Sequence, residues 1–266
     1  MIQGAREHRV VTDDGVELAV VEAGDPVRPT LWFLHGFPDC REVWEPVMAW
    51  LAADYHVVAY DARGAGRSSA PPPRRRHYAL ARLEEDFLTV LDELAPYGPV
   101  HLIGHGWGSA QGWEFATSPR LQGGLASFTS ISGPCLDHAA LWARDRLRHP
   151  TPANLWALAE QGAWLYRANL YSRAPEPLED RVAHVPVQVV LPEHDPYLSS
   201  RLYQDIDRWT PVLHRRTVDA VGPGDRLPLT RPGQVAGWVA EFVDQVRVGS
   251  IPSVKRVDHV KEARAS

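Results

Sequence analysis

The sequence has few cysteines, no long apolar run and little net charge. Each of these features argues against a class of protein. Only Cys40 and Cys135 occur among 266 residues, so a disulfide framework is excluded and a reducing cytoplasm is the expected location. No apolar run approaches the roughly 18 residues of a membrane span, and residues 1–7 lack the apolar segment of a signal peptide. The formal net charge of −5 gives no reason to expect nucleic acid or a membrane surface as a partner.

The apolar residues that are present predict an α/β fold with one sizeable core. Hydrophobic residues make up 44% of the chain, and its length fits a single domain with a modest insertion. Segments of strand character alternate with segments of helical period, which is typical of a largely parallel sheet covered by helices on both faces. The predicted strands are 9–12, 16–21, 30–34, 56–60, a strand starting at 100, 127–132, 187–191 and 215–218, and the predicted helices include 78–94 and 233–246.

One short segment combines an apolar strand, a glycine-rich turn and the start of a helix. It reads Val100-His101-Leu102-Ile103-Gly104-His105-Gly106-Trp107-Gly108-Ser109. This pattern resembles the nucleophile elbow of the α/β-hydrolase superfamily, Gly-x-Nuc-x-Gly, in which a sharp turn raises a Ser, Asp or Cys above the sheet. The flanking His and Trp resemble the epoxide hydrolase and haloalkane dehalogenase branch, which usually reads Gly-His-Asp-Trp-Gly. Gly106 stands at the nucleophile position, so the scaffold of a hydrolase is present without its attacking atom.

The resemblance covers roughly residues 8–247 and implies a domain organisation. Residues 1–134 and 185–248 would form the hydrolase core, an eight-stranded, mostly parallel sheet with helices on both faces. Residues 135–184 interrupt the alternation at the place where this family inserts a helical lid, and this lid would be shorter than most epoxide hydrolases carry. Residues 249–266 have the composition of a disordered polar tail.

The resemblance also implies an oxyanion hole formed by two backbone N–H groups, those of Phe37 and Trp107. Phe37 lies in the string His35-Gly36-Phe37-Pro38, directly after the third predicted strand. Backbone donors survive the loss of any side chain, so the hole is expected to be intact. The alternative is that His35 and Gly36 only shape a turn.

Of the catalytic triad that the family uses, this sequence keeps the acid and lacks the base. Asp195 follows the seventh strand, in the acid's place. The base histidine is expected near the last strand, where the string is Gly224-Asp225-Arg226-Leu227-Pro228 and Asp225 occupies its position. Because nucleophile and base are both missing, the covalent route to hydrolysis is excluded.

The remaining polar groups leave several catalytic roles open. We expect Asp195 and Asp225 to face each other, so that like-charge repulsion raises one pKa and creates an acid or a base. The alternative is that both point outward or pair with arginines such as Arg226. His105 is a further candidate base, although in the family such a histidine usually packs below the turn.

Residues at the carboxyl ends of the strands are candidate ligand contacts, because open α/β sheets bind ligands there. Cys40 and Cys135 lie at this edge and are either nucleophiles or unactivated thiols. Aromatic residues are frequent around the elbow and the lid, which suits a roomy pocket for a flat ligand. The candidate substrate-binding residues are His35, Asp39, Gly106, Trp142, Trp164 and Tyr166.

Three functions fit these observations. The first is a non-hydrolytic, cofactor-independent enzyme, such as a cofactorless oxygenase, C–C lyase, isomerase or cyclase, acting on a bulky, natural-product-like substrate. The second is a catalytically inert ligand-binding protein. The third is an epoxide-hydrolase-like enzyme that activates water through the carboxylate pair. We expect no metal and no cofactor, a small hydrophobic or aromatic molecule as the partner, and an oligomeric state that the sequence leaves open, a homodimer included.

Overall fold

The computed structural model describes residues 2–94, 96–148, 178, 180–193, 200–219 and 226–254, and all structural statements refer to these residues. Most of the predicted lid and residues 255–266 of the predicted tail lie outside this part of the chain. The core of the fold, including the predicted elbow, lies within it.

Eight strands form a single sheet, which confirms the predicted fold class. They are β1 (Arg6–Val11), β2 (Glu17–Ala23), β3 (Thr30–Leu34), β4 (His56–Tyr60), β5 (Val100–His105), β6 (Leu125–Ile131), β7 (Val187–Pro192) and β8 (Leu213–Val218). Their order across the sheet is β1-β2-β4-β3-β5-β6-β7-β8. Only β2 runs antiparallel to its neighbours β1 and β4, while the other pairs are parallel. The carboxyl ends of β3 to β8 therefore share one edge.

Helices cover both faces of the sheet. The described helices are α1 (Glu45–Leu51), α2 (Leu80–Leu94), α3 (Trp107–Ala116), α4 (Leu136–Arg148), α5 (Leu227–Thr230) and α6 (Pro232–Arg247). One hydrophobic cluster packs α2, α3 and α4 against the sheet, and a second packs α1 and α6 against the other face. Strand β3 is buried along its whole length, with Trp32 in the first cluster and Phe33 in the second. A strand covered on both sides reads as a continuous apolar run, which explains why its bounds are predicted correctly.

The structure differs from the sequence prediction at the edge strands and in three of the helices. β1 begins at Arg6 and β8 at Leu213, earlier than predicted, because exposed charged side chains on edge strands obscure the alternation of apolar residues. The sequence does not predict α1, α4 or α5. Helix α4 starts the interval expected to form the lid, yet Leu136 and Trp142 are buried in the core cluster, at 1% and 2% exposure. None of the described helices is long and apolar enough to span a membrane.

A buried arginine, Arg63, connects the loop after β4 with α2 and with the turn between β1 and β2. The Arg63 guanidinium donates to both carboxylate oxygens of Asp86, at 2.7 and 2.5 Å, and to those of Asp14, at 2.9 and 3.2 Å. Arg63 is 3% and Asp86 1% exposed. Burial raises the pKa of Asp86, whereas the hydrogen bonds from Arg63 hold the pKa of Asp14 below its ordinary value. The two carboxylates supply the counter-charge and the hydrogen-bond acceptors for a guanidinium that is shielded from water.

We expect Arg63→Met to lower the free energy of unfolding by about 3–5 kcal/mol, because the Asp86 carboxylate would stay buried without its counter-charge. The control is Arg28→Met, which removes the exposed ion pair of Arg28 and Asp54 (3.7 Å) and should cost less than about 1 kcal/mol. Urea denaturation at pH 7 measures both. Equal losses in the two variants would contradict the role of Arg63 as a buried anchor.

Candidate functional site

Strand β5 passes directly into α3, with Gly106 as the single residue between them. Gly106 has φ 55° and ψ −119°, a conformation in which a residue with a side chain is strained. Its N–H donates to the carbonyl of Ile131 at 2.9 Å, and its carbonyl accepts from the amides of Ser109 and Ala110 at 3.0 and 3.2 Å. This is the sharp strand-to-helix turn that the sequence pattern predicts, and the position at its apex carries no side chain.

The glycines beside the turn are required for packing, whereas Gly106 is not. A Cβ at Gly104 would lie 2.6 Å from the carbonyl oxygen of Gly108, and a Cβ at Gly108 would lie 2.2 Å from that of Leu34. A Cβ at Gly106 would meet only the Cα of Gly36, at 3.8 Å, among the described atoms within 4 Å. The turn therefore keeps the room and the geometry for a side chain at position 106.

A buried polar network fixes the turn to the loop after β6. The carbonyl of Gly133 accepts hydrogen bonds from the Ser109 hydroxyl (2.7 Å), the Ser130 hydroxyl (3.0 Å) and the Trp113 indole (3.0 Å). These three side chains belong to residues with 0% exposure. A Cβ at Gly133 would lie 2.2 Å from the carbonyl oxygen of Gly106. The elbow and the end of β6 thus form one closely packed unit.

The loop after β3 lies against the elbow, where the resemblance places the oxyanion hole. A Cβ at Gly36 would be 3.1 Å from the carbonyl oxygen of His105 and 3.6 Å from the amide nitrogen of Trp107. The next residue, Phe37, is followed by a cis peptide bond to Pro38, and Phe37 is 70% exposed. The structure therefore places Gly36, the residue before Phe37, against the elbow and near the amide nitrogen of Trp107. Their oxyanion-binding role stays a prediction.

His35, a predicted substrate contact, uses both ring nitrogens within the protein. Its Nδ1 donates to the carbonyl of Gly36 at 2.7 Å, and its Nε2 accepts the N–H of Ala62 at 2.9 Å. These bonds require the neutral tautomer with hydrogen on Nδ1. Burial lowers the pKa of His35, which favours the same neutral state. His35 therefore ties the loop after β3 to the loop after β4.

His105, a predicted catalytic residue, is half-buried beside the loop after β3. Its ring meets the ring of Trp44 edge-on, with 6.4 Å between the centroids. Its Nδ1 would lie 3.7 Å from a Cβ at Gly36. His105 thus lies close to the predicted oxyanion hole, and its catalytic role stays a prediction.

An ion pair connects the loop after β3 with the segment before α5. The carboxylate of Asp39, a predicted substrate contact, accepts from Arg226 at 2.7 Å, and the two side chains are 10% and 48% exposed. Arg226 directly follows Asp225, the residue at the base position. The partner that the structure shows for Arg226 is Asp39, so this arginine connects the residue before α5 with the loop after β3.

The other predicted site residues divide into two groups. Trp142 lies on α4 within the core cluster, and its contact with substrate stays a prediction. Asp195, Asp225, Trp164 and Tyr166 lie outside the described residues, so the proposed carboxylate pair and the lid aromatics stay predictions as well. In the described part of the chain no group of three or more His, Cys, Asp or Glu side chains is arranged to hold a metal ion.

Both thiols lie in surroundings that disfavour the thiolate. Cys135 is 1% exposed, and burial raises its pKa from 9.0 to about 12. Burial also raises the pKa of the half-buried Cys40. Because the thiolate is the nucleophilic form, neither residue is suited to replace the missing nucleophile at neutral pH. The interpretation of both as unactivated thiols is the one that the structure favours.

We expect Gly106→Ala to fold with a loss of about 1–3 kcal/mol in the free energy of unfolding, because the backbone conformation is strained for alanine but its Cβ has room. Gly108→Ala, two residues further along the chain, is the matched control. Its Cβ would overlap the Leu34 carbonyl, so its loss should be about 3 kcal/mol or more. Chemical denaturation measures both variants. A larger loss for Gly106→Ala than for Gly108→Ala would show that position 106 has no room for a side chain.

We expect iodoacetamide to label Cys135 at least tenfold more slowly in the native protein than after unfolding, when measured by mass spectrometry at pH 8. A thiol with a pKa near 12 has a thiolate fraction on the order of 10⁻⁴ at that pH, against about one-tenth for an ordinary thiol. The native rate should keep rising as the pH increases through 9. Native labelling as fast as that of the unfolded protein would contradict the burial of Cys135.

Comparisons with known proteins agree with this geometry. The family model for the α/β hydrolase fold matches residues 29–165, a range that contains the loop after β3 and the elbow. "Probable oxidoreductase EphD" of Mycobacterium tuberculosis is 32% identical over 293 residues, covering 88% of this chain and 49% of the relative. An epoxide hydrolase of Caballeronia sordidicola is 38% identical over 240 residues, covering 90% of this chain and 66% of the relative. The chain thus spans about half the length of the mycobacterial relative.

Solved structures of epoxide hydrolases share the fold. A mutant enzyme from Bacillus megaterium, complexed with its product (R)-3-[1]naphthyloxy-propane-1,2-diol, aligns with a TM-score of 0.67 at 21% identity, covering 89% of this chain and 100% of that one. An epoxide hydrolase mutant from Vigna radiata aligns with a TM-score of 0.70 at 19% identity, covering 92% and 100%. The chain belongs to the α/β-hydrolase fold family and resembles its epoxide hydrolase branch.

Proposed function

We propose that this chain is a non-hydrolytic, cofactor-independent enzyme that binds a bulky hydrophobic or aromatic molecule and stabilises an oxyanion formed from it. The observation that carries this proposal is Gly106, where the elbow geometry and the room for a side chain are kept and the attacking atom is absent. A covalent ester needs an atom at that position. Stabilisation of a negative oxygen by backbone N–H groups does not.

The oxyanion would be held at the amides of Phe37 and Trp107. Gly36, the residue before Phe37, lies near the amide nitrogen of Trp107 at the N-terminus of α3, a helix of 10 residues, where aligned peptide dipoles favour negative charge. The bonds of His35 and the close packing of Gly36 against the elbow hold the loop in place. Such a prearranged site lowers the free energy of an enolate or phenolate without reorganising during the reaction.

A base near the elbow must remove the proton whose loss creates this anion. The contacts of the described side chains exclude several residues as this base. Both nitrogens of His35 are engaged, Asp39 is held in an ion pair, and both thiols have raised pKa values. Asp225, at the family's base position, and His105 are then the candidates. We favour Asp225, because Asp195 across the emptied triad would raise its pKa towards neutrality. The resulting anion has four fates open to it: attack on dioxygen, C–C cleavage, isomerisation or cyclisation.

A second candidate function is supported by the relatives. Several of them are named epoxide hydrolases, and the Bacillus megaterium structure contains an aryloxy diol. An enzyme of this kind would open an epoxide with water activated directly by the carboxylates, without a covalent step. The same diol is a suitable binding probe for this chain, because it combines a naphthalene ring with two hydroxyl groups. An inert binding protein would also retain it.

We expect the wild-type protein to catalyse exchange of the methyl protons of 2-acetonaphthone in D₂O, measured by NMR. Proton removal forms an enolate, which is the species the oxyanion site would stabilise. Asp225→Asn should lower the exchange rate by about 10²-fold or more and leave the Kd of the naphthyloxy diol within about tenfold, roughly 1.4 kcal/mol. Asp207→Asn, at a surface carboxylate that is 67% exposed, is the matched control and should change neither.

The other outcomes select the alternatives. Turnover of 1-naphthyl glycidyl ether by the wild-type protein, lost in Asp225→Asn, would support the epoxide-hydrolase-like function. Binding of the diol with neither reaction would support the inert binder. Exchange that persists in Asp225→Asn and disappears in His105→Gln would move the base to the elbow. Restoration of epoxide turnover by Gly106→Asp alone would show that Asp225 does not occupy the base position, since only the combination with Asp225→His is expected to restore it.

A further inference from the structure

An open pocket lies at the edge of the sheet opposite to the elbow. Its volume is about 290 Å³, which is at the lower end of the range for small-molecule sites. His56, the first residue of β4, is part of its wall, whereas the elbow follows the last residue of the parallel strand β5. The rest of the wall comes from β1, from the end of β2 and from the segment around the end of α2. The pocket is therefore separate from the proposed oxyanion site.

The buried part of the pocket wall is a carboxylate that three side chains hold in place. Glu22 is 7% exposed, and its two oxygens accept hydrogen bonds from Nε2 of His8 at 3.0 Å and from Nε2 of His56 at 2.7 Å. Nε of Arg6 lies 3.0 Å from the oxygen that His8 contacts. Burial acts to raise the pKa of Glu22, but the bonds from the imidazoles and the charge of Arg6 hold it below its ordinary value. The carboxylate is thus ionised and fixes the Arg6 side chain through Nε.

Two charged groups of opposite sign in this pocket remain without a partner in the described part of the chain. Arg6 uses only Nε, which leaves Nη1 and Nη2 unbonded, and its side chain is 53% exposed. The carboxylate of Glu93 forms no ion pair or hydrogen bond. The two groups do not pair with each other, so their nitrogen and oxygen atoms lie more than 4.0 Å apart. Glu93 lies in the last turn of α2, where the helix dipole is also negative and favours a cation.

An apolar surface adjoins these charges. Leu94, Pro96 and Tyr97 line the pocket on the side of α2, and Tyr97 is 79% exposed. A tyrosine with so much exposed surface is not packed into the core of its own chain. Its ring is therefore accessible to a second aromatic ring, which would stack on it in an offset or edge-to-face arrangement.

We propose that this pocket binds a free α-amino acid with an aromatic side chain. The ligand carboxylate would accept two hydrogen bonds from Nη1 and Nη2 of Arg6, and its ammonium group would donate to Glu93. Its ring would pack on Tyr97. Such a ligand carries opposite charges on either side of one carbon atom, which matches two opposite protein charges that line one pocket without pairing. This site is independent of the reaction proposed for the elbow.

The test uses calorimetric titration with three ligands: L-phenylalanine, phenethylamine, which lacks the carboxylate, and 3-phenylpropionate, which lacks the ammonium group. We expect the wild-type protein to bind L-phenylalanine at least about tenfold more tightly than either analogue. Arg6→Met should weaken L-phenylalanine and 3-phenylpropionate about tenfold and leave phenethylamine within about twofold. Glu93→Gln should weaken L-phenylalanine and phenethylamine about tenfold and leave 3-phenylpropionate within about twofold.

The matched controls are Arg9→Met, an exposed arginine on the same strand, and Glu85→Gln, on the same helix. Neither residue lines the pocket, so neither variant should change any of the three affinities. Arg6→Met should stay folded because Glu22 keeps both imidazole bonds, and circular dichroism checks this. Failure of the wild-type protein to bind L-phenylalanine would overturn the proposal, as would equal losses in the pocket variants and the controls. Preference for phenethylamine would indicate a site for cations alone, and preference for 3-phenylpropionate a site for anions alone. Either preference would also overturn the amino-acid site.

Discussion

Close contact between backbones at the junction of β5 and α3 is the constraint on which the site depends. Gly104 and Gly108 allow the helix to start within van der Waals distance of the strands, and Gly133 allows the end of β6 to reach the carbonyl of Gly106. None of these contacts involves a side chain at position 106. Because the turn is held by backbone packing and by the network on the Gly133 carbonyl, its shape does not require a nucleophile.

The groups around this junction hold the loop after β3 in place and include no thiol suited to covalent attack. The loop after β3 is held against the elbow from two sides, by the bonds of His35 and by the ion pair of Asp39 with Arg226. Neither cysteine is suited to replace the missing nucleophile, since burial raises the pKa of both thiols. Under the proposed function, backbone amides would hold an anion that forms on the ligand, and the protonated thiols would take no part in the reaction.

The sequence predicts those parts of the molecule that depend on local pattern. The buried runs at β3 and β4 and the glycines of the elbow are read correctly, because burial on both faces and a tight turn each demand particular residue types. The ion pairs of Arg63 and Arg226 are missed, since their partners are distant in the chain and only the folded sheet brings them together. Ser132, the residue after β6, is missed for a different reason: its positive φ and its unpaired hydroxyl are properties of the folded loop, and a serine next to a glycine has no distinctive pattern. Burial of α4 in the core is equally invisible, because the sequence marks only an interruption of the alternation there.

Gly106 and Ser132 show opposite relations between strain and side chain at the same sheet edge. At position 106 the backbone adopts a conformation that is strained for any residue with a side chain. The residue there is glycine, for which this conformation carries no strain. At position 132 the backbone is also left-handed, and a side chain is nevertheless present, with its hydroxyl unsatisfied. The turn at position 106 therefore carries no strain, and under the proposed function the backbone N–H groups of Phe37 and Trp107 would hold the anion while position 106 contributes no attacking atom.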